Sequence, residues 1–394
     1  MPWQSGALTV SAGSLSCSCA GRSGWEQTFS NPSKLAAGSV GARCRNVGHS
    51  VESQSLFAYN DTMMILGIES SCDETSAGVV RDGAVLSNVI SSQLVHTPFG
   101  GVVPELASRA HQRLILEVVG EALARAGTKK EGLHGIAATH GPGLVGALLV
   151  GLNFGKAMAY GLGIPFIGVN HMEGHLYSNL MAPSGHAFPF LALIVSGGHT
   201  MLVEVTGPFE HAVLGQTRDD AAGEAFDKVA KMLGLGYPGG PRIDAMAKRG
   251  NPQAIRFPRS YLNNDTYDFS FSGVKTAVLY HLRDNGLPAT EQGMADLCAS
   301  FQDAVVDVLV EKTVRAARST GVRDITIAGG VSANSRLRSR LGDACREHGF
   351  RFSYPSLEYC MDNGAMIAYV GWMKLTRGIR SPLSLPAVAA LDLV

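Results

Sequence analysis

The chain has 394 residues, with 33 Lys+Arg balanced by 33 Asp+Glu, 45% apolar and 17% charged. This suits a soluble protein of about two domains at ~100–200 residues each, and it excludes a globally basic nucleic-acid binder, so that any basic footprint is local. The seven cysteines are scattered without a CxxC pair and no run of eighteen apolar residues occurs, which excludes a zinc ribbon, a dense disulfide framework and a plain membrane-spanning run.

Residues 1–62 are rich in Ser and Gly and show little periodicity, so no ordered structure is expected there. Three readings are open: a basic, Ser-rich organelle transit peptide, a flexible tail, or a start codon placed too early, since Met63 and Met64 stand directly before the first strand. We favour the third. The scattered cysteines suit a reducing compartment, so the expected location is the cytoplasm, or the mitochondrial matrix if the leader is real.

From Met64 the pattern is regular. Ile65–Ile68 reads as a buried strand ending in a polar turn, Glu69–Thr75. Ala77–Val80 and Val85–Ile90 read as strands joined by an Asp82-Gly83 hairpin turn. Pro104–Ala126 reads as a helix with Leu106, Ala110, Leu114, Val118 and Ala122 on its stripe. Ile136–Ala138 is a strand running into Gly141-Pro142-Gly143 and a small-residue helix to about Gly161. Phe166–Val169 is a strand, and His171 starts a helix. The scheme then restarts. Phe190–Val195 is a strand, Ser196–Thr200 its turn, and Met201–Val205 the return strand. Asp219–Leu233 reads as a helix with Ala222, Phe226, Val229 and Leu233 buried. Residues 234–275 read as loop-rich, Ala295–Arg318 as a long helix, and Asp324–Ala328 as a strand leading to Gly329–Asn334 and another helix. Strands alternating with helices predict α/β layers. The repeated strand, Ser-rich turn and strand predict two lobes of similar design, 63–189 and 190–394, with a helical insertion around 216–300 in the second.

His171-Met172-Glu173-Gly174-His175 puts two imidazoles one helical turn apart, which can aim both at one metal ion. A carboxylate would complete a 2-His-1-carboxylate site; at this point any distant Asp or Glu is a candidate. The protease motif H-E-x-x-H is absent, because Glu173 stands at the second position after His171. Ser196-Gly197-Gly198 and Gly329-Gly330-Val331-Ser332 each follow an apolar strand and suit phosphate held by bare backbone. Asp73 and Glu74 close the first turn, where carboxylates near phosphate hold Mg²⁺ or act as a base. Asp219 and Asp220 read as helix caps. Asp227 follows Phe226 on the core stripe, and its placement calls for a reason such as a ligand hydroxyl. Arginines at 336, 338, 340, 346 and 351, and again between Arg242 and Arg259, suit either an RNA backbone or a solvated helix face, and we take the latter.

Ten stretches taken in order resemble the TsaD family of tRNA threonylcarbamoyl transferases: Gly67–Thr75, Gly101–Arg109, Gly141–Leu144, His171–His175, Val195–Thr200, Asp219–Lys228, Tyr237–Pro241, Phe269–Gly273, Ala328–Asn334 and Asp362–Met366. The resemblance covers residues 64 to about 372. It implies a two-lobed, actin-like ATPase fold of the sugar kinase and Hsp70 superfamily, with duplicated lobes. It implies one divalent metal, usually assigned as iron, with zinc the alternative, held by His171, His175 and Asp362. It implies a substrate pocket lined by Ile194, Val195, Ser196, Gly197, Gly198, Asp227, Gly240 and Asn334, with Asp244 joining in some members. The implied reaction moves threonylcarbamoyl from threonylcarbamoyl-adenylate to N6 of the adenosine at position 37 of tRNAs reading codons that begin with adenine. TsaB-like and TsaE-like partners are implied if the chain is bacterial, and no membrane. Asp73 and Glu74 are the candidates for proton transfer or tRNA positioning. The rival readings are a kinase of the same fold, which would not need His171, a metalloprotease, and a non-catalytic scaffold.

Overall fold

The computed structural model describes residues 62–99, 101–181, 187–260 and 265–393, so the reading of residues 1–61 falls outside the described residues. The first lobe runs β1 (Met64–Glu69), β2 (Glu74–Arg81), β3 (Ala84–Ser92), α1 (Pro104–Arg125), β4 (Gly135–Gly141), α2 (Val145–Leu162), β5 (Phe166–Asn170) and α3 (His171–Tyr177). The second runs β6 (Phe190–Val195), β7 (Thr200–Gly207), β8 (Glu210–Gln216), α4 (Ala222–Met232), α5 (Gly239–Ala247), α6 (Ser272–Asn285), α7 (Glu291–Thr320), β9 (Asp324–Ala328), α8 (Ser335–His348), β10 (Arg351–Ser353), α9 (Leu357–Cys360) and α10 (Gly364–Leu375).

Two five-stranded sheets result, ordered β3-β2-β1-β4-β5 and β8-β7-β6-β9-β10. In each, the first strand pairs antiparallel with the second and parallel with the fourth. The second lobe therefore repeats the first strand for strand, which is the duplicated α/β design of the actin-like fold. The Asp82-Gly83 turn has φ of 50° and 80°, the left-handed pair that a type I′ hairpin requires.

Three local readings need correction. The buried face of α1 is Ala107, His111, Ile115, Val118, Val119 and Ala122, rotated from the expected stripe at its N-terminal half. A strict four-residue repeat drifts around a helix of 3.6 residues per turn, so the face cannot follow it for long. Residues 234–275 are not all loop, because α5 forms there and α6 begins there. Strand β8 is also present; its half-exposed pattern, Glu210 to Gln216, carries little apolar signal. Helix α2 is long and apolar enough, by length and composition, to cross a membrane. Here it packs on β4 and α1, with Ala147, Leu148, Gly151 and Leu152 buried.

Helix α10 belongs to the second half of the chain, yet it packs on β1, β2 and β4 of the first sheet. The approach is backbone on backbone. A Cβ on Gly67 of β1 would overlap Ala368 N and Gly364 O, and a Cβ on Gly364 would overlap the Ala77 backbone of β2. The first turn of the helix is fixed by polar partners as well. Asn363 Oδ1 accepts from Met366 N at 3.0 Å, Ser76 Oγ accepts from Gly364 N at 2.7 Å, and Asn88 Oδ1 accepts from Ala365 N at 3.3 Å. Three of the amide groups that a helix start leaves without partners are thereby satisfied. Asp362 stands two residues before this helix and is placed by it. Gly67→Ala should therefore cost about 1–3 kcal/mol by overpacking and displace Asp362. A urea melt, together with a Zn²⁺ titration of the metal-free protein, checks both effects.

Candidate active site

A cleft of about 810 Å³ lies between the lobes. The two matching hairpin tips meet across it: Ser71, Cys72 and Asp73 from the β1–β2 turn, and Ser196, Gly197 and Gly198 from the β6–β7 turn. Asp362 and His171 form part of its wall.

Helix α3 is short and wholly buried. Asn170 starts it, with its Oδ1 accepting from Met172 N at 2.8 Å. Gly174 lets α3 approach α10, since a Cβ there would lie 3.0 Å from Met366 Cγ. The His171 and His175 rings sit edge to face, centroids 4.7 Å apart. His175 Nε2 lies 3.0 Å from Asp362 Oδ1, and His171 Nε2 lies 3.4 Å from the same oxygen. One donor atom from each of the three residues lies within 4.8 Å of the others.

The residue that sequence reasoning passed over is Glu69. Its carboxylate is fully buried at the end of β1. It accepts from Ser71 N at 2.6 Å and Thr139 Oγ1 at 2.7 Å, and lies 2.9 Å from His171 Nδ1. Bonding to one ring nitrogen of His171 leaves Nε2 to face Asp362. That is the orientation a carboxylate gives to a metal-ligating histidine. Burial opposes charge on His171, but the Asp362 and Glu69 carboxylates overcome it and hold the imidazole well above its usual range. The site therefore attracts positive charge, and two imidazoles with one carboxylate are a donor set that Fe²⁺ and Zn²⁺ accept. The residues present fit a divalent metal.

Glu173, the residue a protease reading would need as base, pairs instead with Lys374 of α10 at 2.6 Å, with both side chains nearly buried. It ties α3 to α10.

The glycines of the second tip differ from those under α10. A Cβ on Gly197, Gly198, Gly240 or Gly330 would meet nothing within 4 Å, and none of the four has a positive φ. Neither packing nor backbone conformation explains them, and the open space leaves room for a ligand to approach bare backbone. Gly197, Gly198 and Gly330 all line the cleft. So do Asp73, Glu74 and Asp227. Burial, and then the Asp362 and Asp73 carboxylates, hold Glu74 well above the usual carboxylate range. Burial likewise raises Asp227, although its Oδ1 accepts from Gly239 N at 2.7 Å. That bond to the start of α5 is the reason for an acid beside the core stripe. Burial, followed by the two histidine rings, pushes His199 down to about 4, so its ring is neutral near pH 7.

The remaining candidates sit elsewhere. Ile194 and Val195 are buried on β6 among core side chains. Asn334 caps α8, its Oδ1 accepting from Leu337 N at 2.9 Å, and donates to Gln302 Oε1. Asp244 accepts from Ser335 Oγ at 2.8 Å at the same helix start. Both border a smaller pocket of about 270 Å³ through their partners, since Gln302 and Ser335 line it. Asp219 and Asp220 do not cap α4. Asp219 holds Ser270, Phe271 and Ser272 ahead of α6, and Asp220 pairs with Lys228 and Lys275. The arginines pair with acids: Arg336 and Arg340 of α8 with the buried Asp303, and, at the surface, Arg346 of α8 with Asp343 and Arg351 of β10 with Asp324. Arg338 lies over the Tyr354 ring.

Residues 84–369 match the model of the tRNA N6-adenosine threonylcarbamoyltransferase family, TsaD. A protein of that name from Salinibacter ruber is 56% identical over 336 residues, covering 84% of this chain and all of the relative. One from Symbiobacterium thermophilum is 52% identical, covering 84% of this chain and 97% of the relative. The chain belongs to the TsaD family. Among solved structures, full-length HypF in a phosphate- and nucleotide-bound form aligns with a TM-score of 0.56 at 14% identity, over 80% of this chain and 47% of that one. HypF from T. kodakarensis aligns with a TM-score of 0.53 at 15% identity, over 81% of this chain and 48% of that one. The chain thus spans about half the length of either HypF, and these likenesses show the shared fold.

Two variants test the site. Glu69→Gln keeps the shape but loses the charge that orients and supports His171, and should weaken Zn²⁺ binding by the metal-free protein about 10–100-fold; a competition titration measures it. Gly198→Ala should fold with an unchanged melting temperature, because its methyl enters open space, yet bind an acyl-adenylate analogue more weakly by calorimetry.

Proposed function

We propose that the cleft catalyses threonylcarbamoyl transfer from threonylcarbamoyl-adenylate to N6 of adenosine 37 in tRNAs reading codons that begin with adenine. The observation carrying this reading is that one cleft joins a His-His-Asp donor set, built where α3 and the head of α10 meet on the first sheet, to bare glycine backbone of the second lobe. The first suits a cation and the second suits a phosphate.

The chemistry is a displacement. The N6 amine attacks the carbamoyl carbon, a C–N bond forms, the C–O bond of the mixed anhydride breaks, and AMP leaves with the bonding pair while the amine loses a proton. The metal, Fe²⁺ with Zn²⁺ as the alternative, when bound to His171, His175 and Asp362, supplies Lewis-acid polarisation. Gly197, Gly198 and Gly330 present backbone to the adenylate phosphate, where fixed donors stabilise the charge that builds as AMP departs. The adenine amine is a weak nucleophile, so holding it in line contributes most. Glu74 and Asp73 flank the cleft, and Glu74, held above ordinary carboxylates by burial and its acidic neighbours, is a stronger base than a solvated glutamate and suits a proton acceptor. As pH falls through that raised value Glu74 gains its proton, and kcat/KM falls on the acid side. Glu74→Gln should remove that limb and slow transfer about 10²–10⁴-fold, read as a pH profile of modified nucleoside.

We place the protein in a reducing compartment, the cytoplasm or the mitochondrial matrix; Cys72, Cys298, Cys345 and Cys360 are free thiols, which supports this. If the chain is bacterial, TsaB-like and TsaE-like proteins are the expected partners. Helices α1 and α2 pack together and expose Leu116, Val145, Leu149 and Tyr160, apolar surface of the kind an interface covers.

The deciding experiment incubates the protein with threonylcarbamoyl-adenylate, unmodified tRNA and these partners, followed by nucleoside analysis. N6-threonylcarbamoyladenosine should form. It should be lost in folded His171→Ala and after chelation, and return on adding Fe²⁺ or Zn²⁺. Full activity without metal would remove the metal from the mechanism, and phosphoryl transfer from ATP in its place would make the protein a kinase.

A further inference from the structure

Beyond α10 the chain runs back along the first lobe and ends beside β8 of the second sheet. Ser381 N donates to Phe166 O at 2.9 Å, and Ser381 Oγ accepts from Gly168 N at 2.9 Å. Lys156 Nζ of α2 donates to Leu385 O. Val388 N donates to His140 O at 2.8 Å, and Gly143 N donates to Ala389 O at 3.0 Å. Asn170 Nδ2 donates to Asp392 O at 2.9 Å. His211 of β8, on the second sheet, lies with Nε2 3.0 Å from Leu393 O.

We propose that residues 381–393 are a positioning strap for the active site, holding the Gly141–Leu144 wall of the cleft and the start of the metal-ligand helix in register. This rests on the transfer reading given above, because the site being positioned is that one.

The contacts reach the site by two routes. The first is the wall. Gly143 and Leu144 line the cleft. Gly143 N is held by the strap, while Leu144 N donates to Ser71 O at 2.8 Å, beside Ser71 Oγ, which lies 3.3 Å from His171 Nδ1. Gly141 is a glycine on account of the strap: a Cβ there would overlap Val388 O and stand 3.0 Å from Leu391 Cβ, and the nearest atoms it meets all belong to the strap. The second route is Asn170. One side-chain atom caps α3 at Met172 N and the other is tied to the Asp392 carbonyl, so the amide links the strap to the helix that carries His171 and His175. Most of these bonds use the strap's own peptide groups. Its sequence, Pro-Ala-Val-Ala-Ala-Leu-Asp-Leu from Pro386, therefore shows no motif, although its backbone path is specified.

Three changes to the full-length protein test this. Gly141→Ala pushes the strap away without touching a ligand. Asn170→Asp keeps the acceptor that caps Met172 N but removes the donor to Asp392 O. A chain ending at Leu385 removes the strap's last contacts. Each is measured by melting temperature, Zn²⁺ affinity of the metal-free protein, hydrogen exchange at the Gly143 and Met172 amides, and kcat and KM for threonylcarbamoyl-adenylate. In folded variants, Zn²⁺ affinity and kcat should each fall on the order of 10-fold, and Gly143 exchange should quicken. Gly141→Ala should add little in the shortened chain, because the two changes remove one interaction. Wild-type Zn²⁺ affinity and exchange in folded Gly141→Ala and Asn170→Asp would overturn the proposal, as would full additivity. Should the shortened chain not fold, Asn170→Asp, which replaces the hydrogen bond to Asp392 O with a carboxylate facing that carbonyl, decides through exchange at the Met172 amide, because its added charge also bears on Zn²⁺ affinity. Should the wild-type protein transfer nothing, the activity reading falls, while Zn²⁺ affinity and exchange still judge the strap.

Discussion

Everything at the candidate metal cluster depends on the seating of one helix against one sheet. Helix α10 lies on β1 and β2 at a distance that only glycine permits, with Gly67 and Gly364 backbones in direct contact. Residues far apart in the chain become neighbours by this contact. Asp362 arrives at the head of α10, Glu69 at the end of β1, and the histidines on α3, which α10 also touches through Gly174 and the Glu173–Lys374 pair. A side chain between helix and sheet would shift the carboxylate relative to the imidazoles. Metal donors tolerate displacements of only tenths of an ångström, so close backbone packing is a condition of the chemistry.

The duplicated lobes divide the labour. Each presents the turn between its first two strands to the cleft. In the first lobe that turn is rich in polar and acidic side chains, Ser70 to Glu74; in the second it is nearly bare, Ser196 to His199. The same topology thus offers side-chain chemistry on one wall and backbone amides on the other. A mixed anhydride of a carbamate and a phosphate has two ends that need these two surfaces. The lobes are joined by a core containing Ile65, Ile167, Phe190, Ile194 and Met366, which keeps the two tips facing each other.

Much of this was legible in the residues, and the failures have physical causes. Periodicity located most strands and long helices, and the His171–His175 spacing announced a paired donor. Glu69 escaped notice because an acid at the end of an apolar strand looks like the first residue of a turn; only burial shows that it needs a partner, and only the fold supplies His171. Asp219 and Asp220 have the local form of helix caps, yet they bind the start of α6 and two lysines, since stronger partners were available through tertiary contact. Arg336 and Arg340 of α8 carry no mark in sequence of Asp303, the distant acid that engages them. Asn334 and Asp244 converge on the start of α8, a junction that no spacing reveals.

What the sequence determined by itself is the set of local pieces: the alternation of strand and helix, the hairpin turns, the histidine pair on one helical face, and the glycines. These follow from the short-range geometry of the chain, 3.6 residues per turn in helices and two per repeat in strands. Asp362 as the carboxylate beside the histidines came from the family resemblance and from no local spacing; tertiary structure alone decided that Glu69 supports His171, which glycines serve packing and which face open space, and where the last residues run. Those outcomes depend on contacts between segments that can be two or three hundred residues apart, and no local pattern encodes such a distance.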